Sequence, residues 1–328
     1  MFTRPNHQIT TQAGPIQDGL QGFPKVECLV RSPTQRELHN ADIAHLIRLG
    51  LDTTVVNAAE LTGGGFAAVW RAGLADGRDV VVKVGPPADV RLLGYERGLI
   101  AAEAEYFRLA ASAAPVPDVL AEGDGWLITS LLPGRPLTEI KDDAPVREQL
   151  GAAVARIHEI SGPHFGYTGG RASGADWPGA FRAMIESLLA DAAAWRVPVP
   201  RMDLPFSALA SVTRPALLHF DLWDGNVLAA GDRLTGLVDG ERYLYGDPLL
   251  DLVSPALYRR IEDEPDHPFL RGYRVDLDDA ARTRLILYRV HLYLLMLAEG
   301  PSRGIPVGSE RHDFITGLLI GELDRLKE

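Results

Sequence analysis

The chain has 328 residues, 46% of them hydrophobic, with 33 Lys and Arg against 44 Asp and Glu and a formal net charge of −11. That apolar content is enough to build the cores of two lobes, and a balance this acidic argues against nucleic acid as a partner. The single cysteine, Cys28, excludes an internal disulfide and fits a reducing, cytoplasmic compartment.

Residues 1–31 read as a flexible tail. Met1 to Lys25 is rich in Gln, Gly, Pro and Thr and has no apolar stretch of the secretion-signal kind. Ser32-Pro33-Thr34-Gln35 predicts a helix start, with Ser32 as cap, Pro33 in the first turn and Gln35 closing a capping box. Leu38, Ala41, Ile43, Leu46 and Ile47 then form its apolar stripe, and Gly50 ends it. An N-terminal lobe over residues 32–132 is expected to consist largely of strands. These are Thr53 to Leu61, Ala67 to Ala72 and Asp79 to Val84, with Asp76-Gly77 as a hairpin turn. Gly63, Gly64 and Gly65 lie between the first two strands, where side-chain-free backbone can approach a phosphate closely. Lys83, one of only four lysines in an arginine-rich chain, ends a Val-Val-Val run, and its compact ammonium suits phosphate. A helix from Val90 to Ser112 carries Glu96, Glu103 and Glu105, the candidate partners of Lys83. Val119 to Glu122, a turn at Asp124-Gly125 and Trp126 to Leu132 form a last hairpin before Pro133-Gly134.

Residues 133–328 are predominantly helical by pattern. Leu150, Val154 and Ile157 stripe a helix from Pro145 to Ile160, and His158 there reads as a packing histidine. Pro178 to Trp195 is a second helix. Leu277 to Leu297 and Ser309 to Leu326 are two more. The apolar part of the third, Leu285 to Leu297, is broken by Arg289 and His291 and is too short to span a bilayer, so no membrane partner is expected.

The most informative stretch lies between these helices. Pro215 to Leu218 is an apolar lead-in to His219, Asp221 and Asn226, spaced H-x-D-x-x-x-x-N as in kinase catalytic loops. In such loops the aspartate accepts the proton of an attacking hydroxyl and the asparagine holds magnesium. Two short strands, Val227 to Ala229 and Leu234 to Val238, turn at Gly231-Asp232 and end on Asp239, eighteen residues after Asp221. Glu241 follows as a helper, and Asp251 reads as a capping or loop-tethering carboxylate. The plainer alternative is a hairpin with a polar loop, which would have to produce three catalytic residue types at this spacing by accident.

The runs from His219 to Leu228 and from Gly236 to Leu252 resemble the aminoglycoside phosphotransferase family, which also includes choline, sugar and ketosamine kinases. The D-F-G, activation segment and A-P-E of protein kinases are missing, and Gly246-Asp247-Pro248 follows within eight residues of Asp239. The resemblance implies an α+β, bilobal, protein-kinase-like fold with a β-rich N-lobe and a helical C-lobe from residue 133. It implies ATP, with GTP as the alternative, and Mg2+. Asp221 would be the base, and Asn226 and Asp239 the magnesium ligands. Lys83 would clamp phosphates beneath Gly63, Gly64 and Gly65. Glu103 is favoured as its partner, with Glu105 as the fallback. Ser130 carbonyl and Leu132 amide would face adenine.

The acceptor implied is a hydroxylated small molecule, foremost an aminoglycoside-like or other sugar-containing antibiotic, and alternatively a ketosamine or amino sugar. Glu262, Asp263, Glu264, Asp266, Asp276, Asp278 and Asp279 would favour a cationic acceptor if they line its cleft; otherwise they are solvated charges. Trp223 would either stack on a sugar or pack in the core. From another class, a non-catalytic nucleotide-binding regulator is the competing reading, against which stands the occupation of all four polar catalytic positions.

Overall fold

The computed structural model describes residues 31–328. Most of the expected tail, together with Cys28, lies outside the described residues. A five-stranded antiparallel sheet, in the order β1-β2-β3-β5-β4, makes up the N-terminal region. Its strands are β1 (Val55–Leu61), β2 (Ala68–Leu74), β3 (Asp79–Val84), β4 (Val119–Gly123) and β5 (Trp126–Ser130). Alternation along β3 gives the sheet two faces. Val80, Val82 and Val84 join a small core with Trp70, Ile128 and the buried Ile43 and Ile47 of helix α1 (Asn40–Leu51). Burying each of those two isoleucines contributes about 1.5–3 kcal/mol. Lys83, between Val82 and Val84, therefore points to the opposite face, towards helix α2 (Leu99–Ala110).

Two expected helices change their bounds. Ser32–Gln35 is a turn, and α1 begins only at Asn40. The capping-box bond does form, from Ser32 N to Gln35 Oε1 at 3.0 Å, but both nearby hydroxyls are committed to the glycine loop. Ser32 Oγ and Thr34 Oγ1 each donate to the Gly65 carbonyl, at 2.7 and 2.9 Å, and Gln35 Nε2 donates to the Gly64 carbonyl at 2.9 Å. At its far end α1 passes Gly50 and stops with Asp52 in the left-handed region. The helix expected over residues 90–112 is also divided. Gly98, at φ 73°, separates a short 3-10 turn at Gly94–Glu96 from α2. Such a backbone conformation suits glycine and breaks helix propagation.

The C-terminal region packs α3 (Ala144–Ile157), α4 (Trp177–Trp195), α5 (Pro268–Tyr273), α6 (Asp279–Glu299) and α7 (Glu310–Arg325) around one large apolar core. Small strands lie among them: β6 (Arg135–Pro136), β7 (Phe165–Gly166), β8 (Ser173–Gly174), β9 (Ala216–Leu218), β10 (Val227–Ala230), β11 (Arg233–Leu237) and β12 (Leu244–Gly246). They form two sheets, β11-β10-β6 and β8-β7-β12-β9. The loop from His219 to Asn226 connects β9 to β10, and Asp239 leaves β11, so the two small sheets fix both ends of the motif. Among the described residues no helix is long and apolar enough to cross a membrane.

Candidate active site

Lys83 is 8% exposed and reaches three carboxylates. Its Nζ lies 2.7 Å from Glu103 on α2, forms an ion pair with Asp239 and lies 3.3 Å from Glu241. Glu103, rather than Glu105, is thus the helix partner. Glu96, the third candidate, is buried elsewhere and pairs with Arg303 at 2.6 Å. Burial opposes the charge of Lys83, but the three acids outweigh it and hold its pKa well above the ordinary lysine value. Burial pushes Glu103 up to about 8 and raises Glu241 too, whereas Lys83 overcomes the same penalty at Asp239 and holds it below the usual carboxylate range. Three carboxyl groups around one ammonium form a donor set suited to a further cation. Glu103, Asp239 and Glu241 bring oxygens within 4.8 Å of one another.

The loop carrying Asp221 is held from behind. Phe220 is in the left-handed region at φ 62°, a conformation that persists in a non-glycine residue only when its surroundings enforce it. Asp251, fully buried, does so. Its carboxylate accepts from the His219 and Phe220 amides at 2.9 and 2.6 Å and from His158 Nε2 at 3.0 Å. His158 is buried as expected, but it is a hydrogen-bonded strut as well as a packing group. Its Nδ1 meets the Tyr273 hydroxyl at 2.7 Å. His219 Nε2 donates to the Val238 carbonyl at 3.0 Å, leaving Nδ1 to accept from the Asp221 amide at 3.2 Å. Asn226 Nδ2 donates to the Asp221 carbonyl at 2.9 Å, and the Asn226 carbonyl accepts from the Val238 amide at 3.0 Å. These bonds bring Asp221, Asn226 and the chain leading to Asp239 into one constellation. Burial raises the Asp221 pKa, against the pull of Arg242.

Arg242 was not singled out by sequence reasoning. Its Nη1 lies 3.7 Å from Asp221 Oδ2 and its Nη2 donates to Glu299 at 2.8 Å. Glu299 is shared with Arg303, whose guanidinium also lies over the Phe66 ring, 5.2 Å from its centroid. A chain of alternating charge therefore runs from Asp221 through Arg242, Glu299 and Arg303 to Glu96, and Arg303 passes beside Gly65 of the glycine loop. Arg242 carried a detectable signal, its place three residues after Asp239. Arg303, one arginine in a C-terminal turn, carried none.

Gly63, Gly64 and Gly65 occupy the β1–β2 loop, with Gly63 at φ 116°. Ser130 ends β5, and its hydroxyl accepts from the Asp118 amide at 2.9 Å; Leu132 follows the strand and packs near Gly236. Trp223 is 37% exposed, which places its ring at the surface beside Asp224 and outside the core. Three members of the acid-rich segment are neutralised by arginines. Glu262 pairs with Arg289 and Arg260, Asp263 with Arg260 and Arg282, and Glu264 with Arg259. Asp278 caps α6 by accepting from the Ala281 amide at 2.7 Å. The expectation of a carboxylate-lined acceptor cleft finds no support in these four, because each already has a partner.

An antiparallel five-stranded sheet joined to a helical region, with a sheet lysine paired to a helix glutamate, defines a protein of the protein-kinase-like class. The profile of the phosphotransferase enzyme family (APH) matches residues 58–286, and the chain belongs to that family. Solved structures agree on the fold. A candidate fructosamine-3-kinase from Thermobifida fusca is 22% identical, with a TM-score of 0.64 over 86% of this chain and 98% of its own. Aminoglycoside phosphotransferase APH(4)-Ia, in a thermostable mutant bound to AMP-PNP and hygromycin B, is 17% identical, with a TM-score of 0.58 over 86% and 98%. Macrolide 2'-phosphotransferase MphH from Brachybacterium faecium is 17% identical, with a TM-score of 0.56 over 85% and 97%. No curated protein matches the sequence.

Proposed function

We propose that this phosphotransferase moves the γ-phosphoryl group of ATP to a hydroxyl of a small molecule. The observation that carries the reading is the convergence of Lys83, Glu103 and Asp239 with the anchored loop of Asp221 and Asn226. In the reaction the acceptor oxygen forms a bond to the γ-phosphorus as the bond to the bridging oxygen of ADP breaks, and Asp221 takes the hydroxyl proton. A raised Asp221 pKa makes it a better base than an exposed aspartate. Lys83, held by Glu103, would bind phosphate oxygens beneath the glycine loop, and the backbone at Ser130 and Leu132 would meet the base. Asn226 and Asp239 would hold magnesium, which the surplus of carboxylates around Lys83 fits; when bound, it neutralises phosphate charge.

Only seven residues separate Asp239 from Asp247, too few for a segment that presents a protein substrate. A sugar-containing antibiotic is the acceptor class this reading favours first, in the cytoplasm, for resistance or self-protection. The surface-exposed Trp223 ring favours a second reading, a ketosamine or amino-sugar kinase, because an exposed indole offers a flat face to a sugar. The test is ADP release over a panel of aminoglycosides, macrolides, nucleoside antibiotics, amino sugars and ketosamines. Acceptor-dependent release that disappears in Asp221→Asn is expected. Nucleotide binding without release for any acceptor would instead support a non-catalytic regulator.

A further inference from the structure

A second feature lies where the segment ahead of α2 meets α4 and the β7–β8 turn. A cavity of about 330 Å³ is lined there by Tyr95, Arg97, Tyr167, Arg171, Met184 and Ser187, among others. Its size falls at the lower end of small-molecule sites, roughly 300–1,000 Å³. Two arginines and no carboxylate are among the lining residues. The nearest acid placed by a hydrogen bond is Asp191, which accepts from the Gly94 amide at 2.8 Å.

Arg171 is the unusual group. It is 8% exposed, yet it forms no ion pair among the described residues. Its Nε donates to the Thr168 carbonyl at 3.0 Å and its Nη1 to the Tyr95 carbonyl at 3.2 Å, while its guanidinium lies over the Tyr167 ring, 4.9 Å from the centroid. Carbonyls and a ring face orient a guanidinium without cancelling its charge. Other enclosed arginines here meet acids: Arg289 pairs with Glu262 and Glu322, Arg242 with Glu299, and Arg147 with Asp143 and Asp224. Glu105 and Glu241 act on the charge of Arg171 only from a distance, and burial still outweighs them; a buried cation so weakly compensated is costly unless an anion arrives. Tyr95 and Tyr167 are 4% and 3% exposed, and both hydroxyls are buried without a hydrogen-bond partner. Gly169 and Gly170, at φ 66° and 75°, make the exposed turn that sets Arg171 facing inwards beneath them. Consecutive left-handed residues at that turn require glycine.

We propose that this cavity is an anion-recognition site. Arg171, backed by the Tyr167 ring and with Arg97 at the rim, receives the carboxylate or phosphate of a small molecule. Met184 and Leu188 supply an apolar wall for its carbon frame. The anion belongs either to the acceptor itself or to a separate small ligand. The β7–β8 turn is tied to the segment behind Asp239, because Thr168 Oγ1 and the Tyr243 hydroxyl hydrogen-bond at 2.9 Å, so an occupant here touches a loop that also braces the candidate active site.

The test is titration with inorganic phosphate and, separately, glucuronate, followed by calorimetry and by thermal unfolding. It uses the full chain, Arg171→Gln, Arg97→Gln and Lys83→Gln. Binding is expected in the parent and in Lys83→Gln, which separates this site from the phosphate-binding cleft proposed above. It should be lost in Arg171→Gln and weakened about tenfold in Arg97→Gln, as for a hydrogen bond to a charged group. If Arg171→Gln fails to fold, Arg97→Gln decides, because Arg97 is exposed at the rim and its loss leaves the core untouched. Equal affinity in the parent, Arg171→Gln and Arg97→Gln, or no binding to a folded parent, overturns the proposal and leaves Arg171 as a tether between carbonyls. A paired ADP-release screen then assigns the source. A KM raised by Arg171→Gln only for acceptors bearing an acid places the anion on the acceptor. Unchanged KM values with Arg171-dependent phosphate binding place it on a separate ligand.

Discussion

Two buried ionic clusters in this molecule differ in their charge balance. Around Lys83, three carboxylates share one ammonium. Beside α6, two arginines and two glutamates alternate: Arg260 meets Glu262 at 3.1 Å and Glu322 at 2.9 Å, and Arg289 meets Glu262 and, at 3.0 Å, Glu322. The second cluster neutralises itself and needs no other partner. The first gathers more carboxyl groups than Lys83 can pair, and burial holds the pKa values of Glu103 and Glu241 up. Buried charge that is balanced belongs to the scaffold. Buried charge that is left over points to a ligand, and the same reasoning with the opposite sign singles out Arg171.

Removing one carboxylate from each cluster should separate them most widely. Asp239→Ala is expected to abolish turnover and weaken magnesium-dependent nucleotide binding while the protein stays folded, as read by ADP release and calorimetry. Glu262→Ala should do the reverse. It leaves Arg289 buried without full compensation, at a cost of about 3–5 kcal/mol in denaturant unfolding. The nucleotide KM of the remaining folded protein should be unchanged. An inactive but equally stable Glu262→Ala would erase the distinction between the clusters.

Smaller effects sharpen it. Asp251→Ala strips the acceptor from two loop amides and His158, so a stability loss of about 1–3 kcal/mol is expected. Equal thermal stability with lost activity would move Asp251 from scaffold to chemistry. His291 is a third kind of buried ionisable group, kept neutral. It packs against the Phe181 and Phe220 rings, and burial pushes its pKa down to about 3. Below its unfolded value of 6.5 the unfolded chain takes up a proton that the folded one refuses, so stability falls as pH falls from 6.5 towards 3. The slope contributed is about 1.4 kcal/mol per pH unit. His291→Phe should flatten that part of the unfolding profile, and an unchanged profile would mean the imidazole is not shielded.

What was legible in the sequence follows from the same distinction. Lys83, Asp221, Asn226 and Asp239 could be found because a strand end, a tight loop and a hairpin fix their spacing along the chain. Glu103 was favoured over Glu105 only through the family resemblance, and it is the face of the helix that puts Glu103 against Lys83. The charges that arrive from far away in sequence were not legible. Glu262 read as one of several solvated acids because nothing local announces Arg289, and Arg303 lies more than two hundred residues from the Phe66 ring it covers. Ser32-Pro33-Thr34-Gln35 misled for a related reason. Its local capping bond forms, but tertiary bonds to Gly64 and Gly65 take over its hydroxyl and amide groups, and the helix starts later.

The account rests most heavily on Asp221 acting in chemistry and not in binding. The decisive measurement compares wild type with Asp221→Asn in two readings on the same samples, magnesium AMP-PNP affinity and acceptor-dependent ADP release. Affinity within a few-fold of wild type, with turnover reduced by about two to four orders of magnitude, is the predicted result. Turnover that survives the substitution within a few-fold would contradict it.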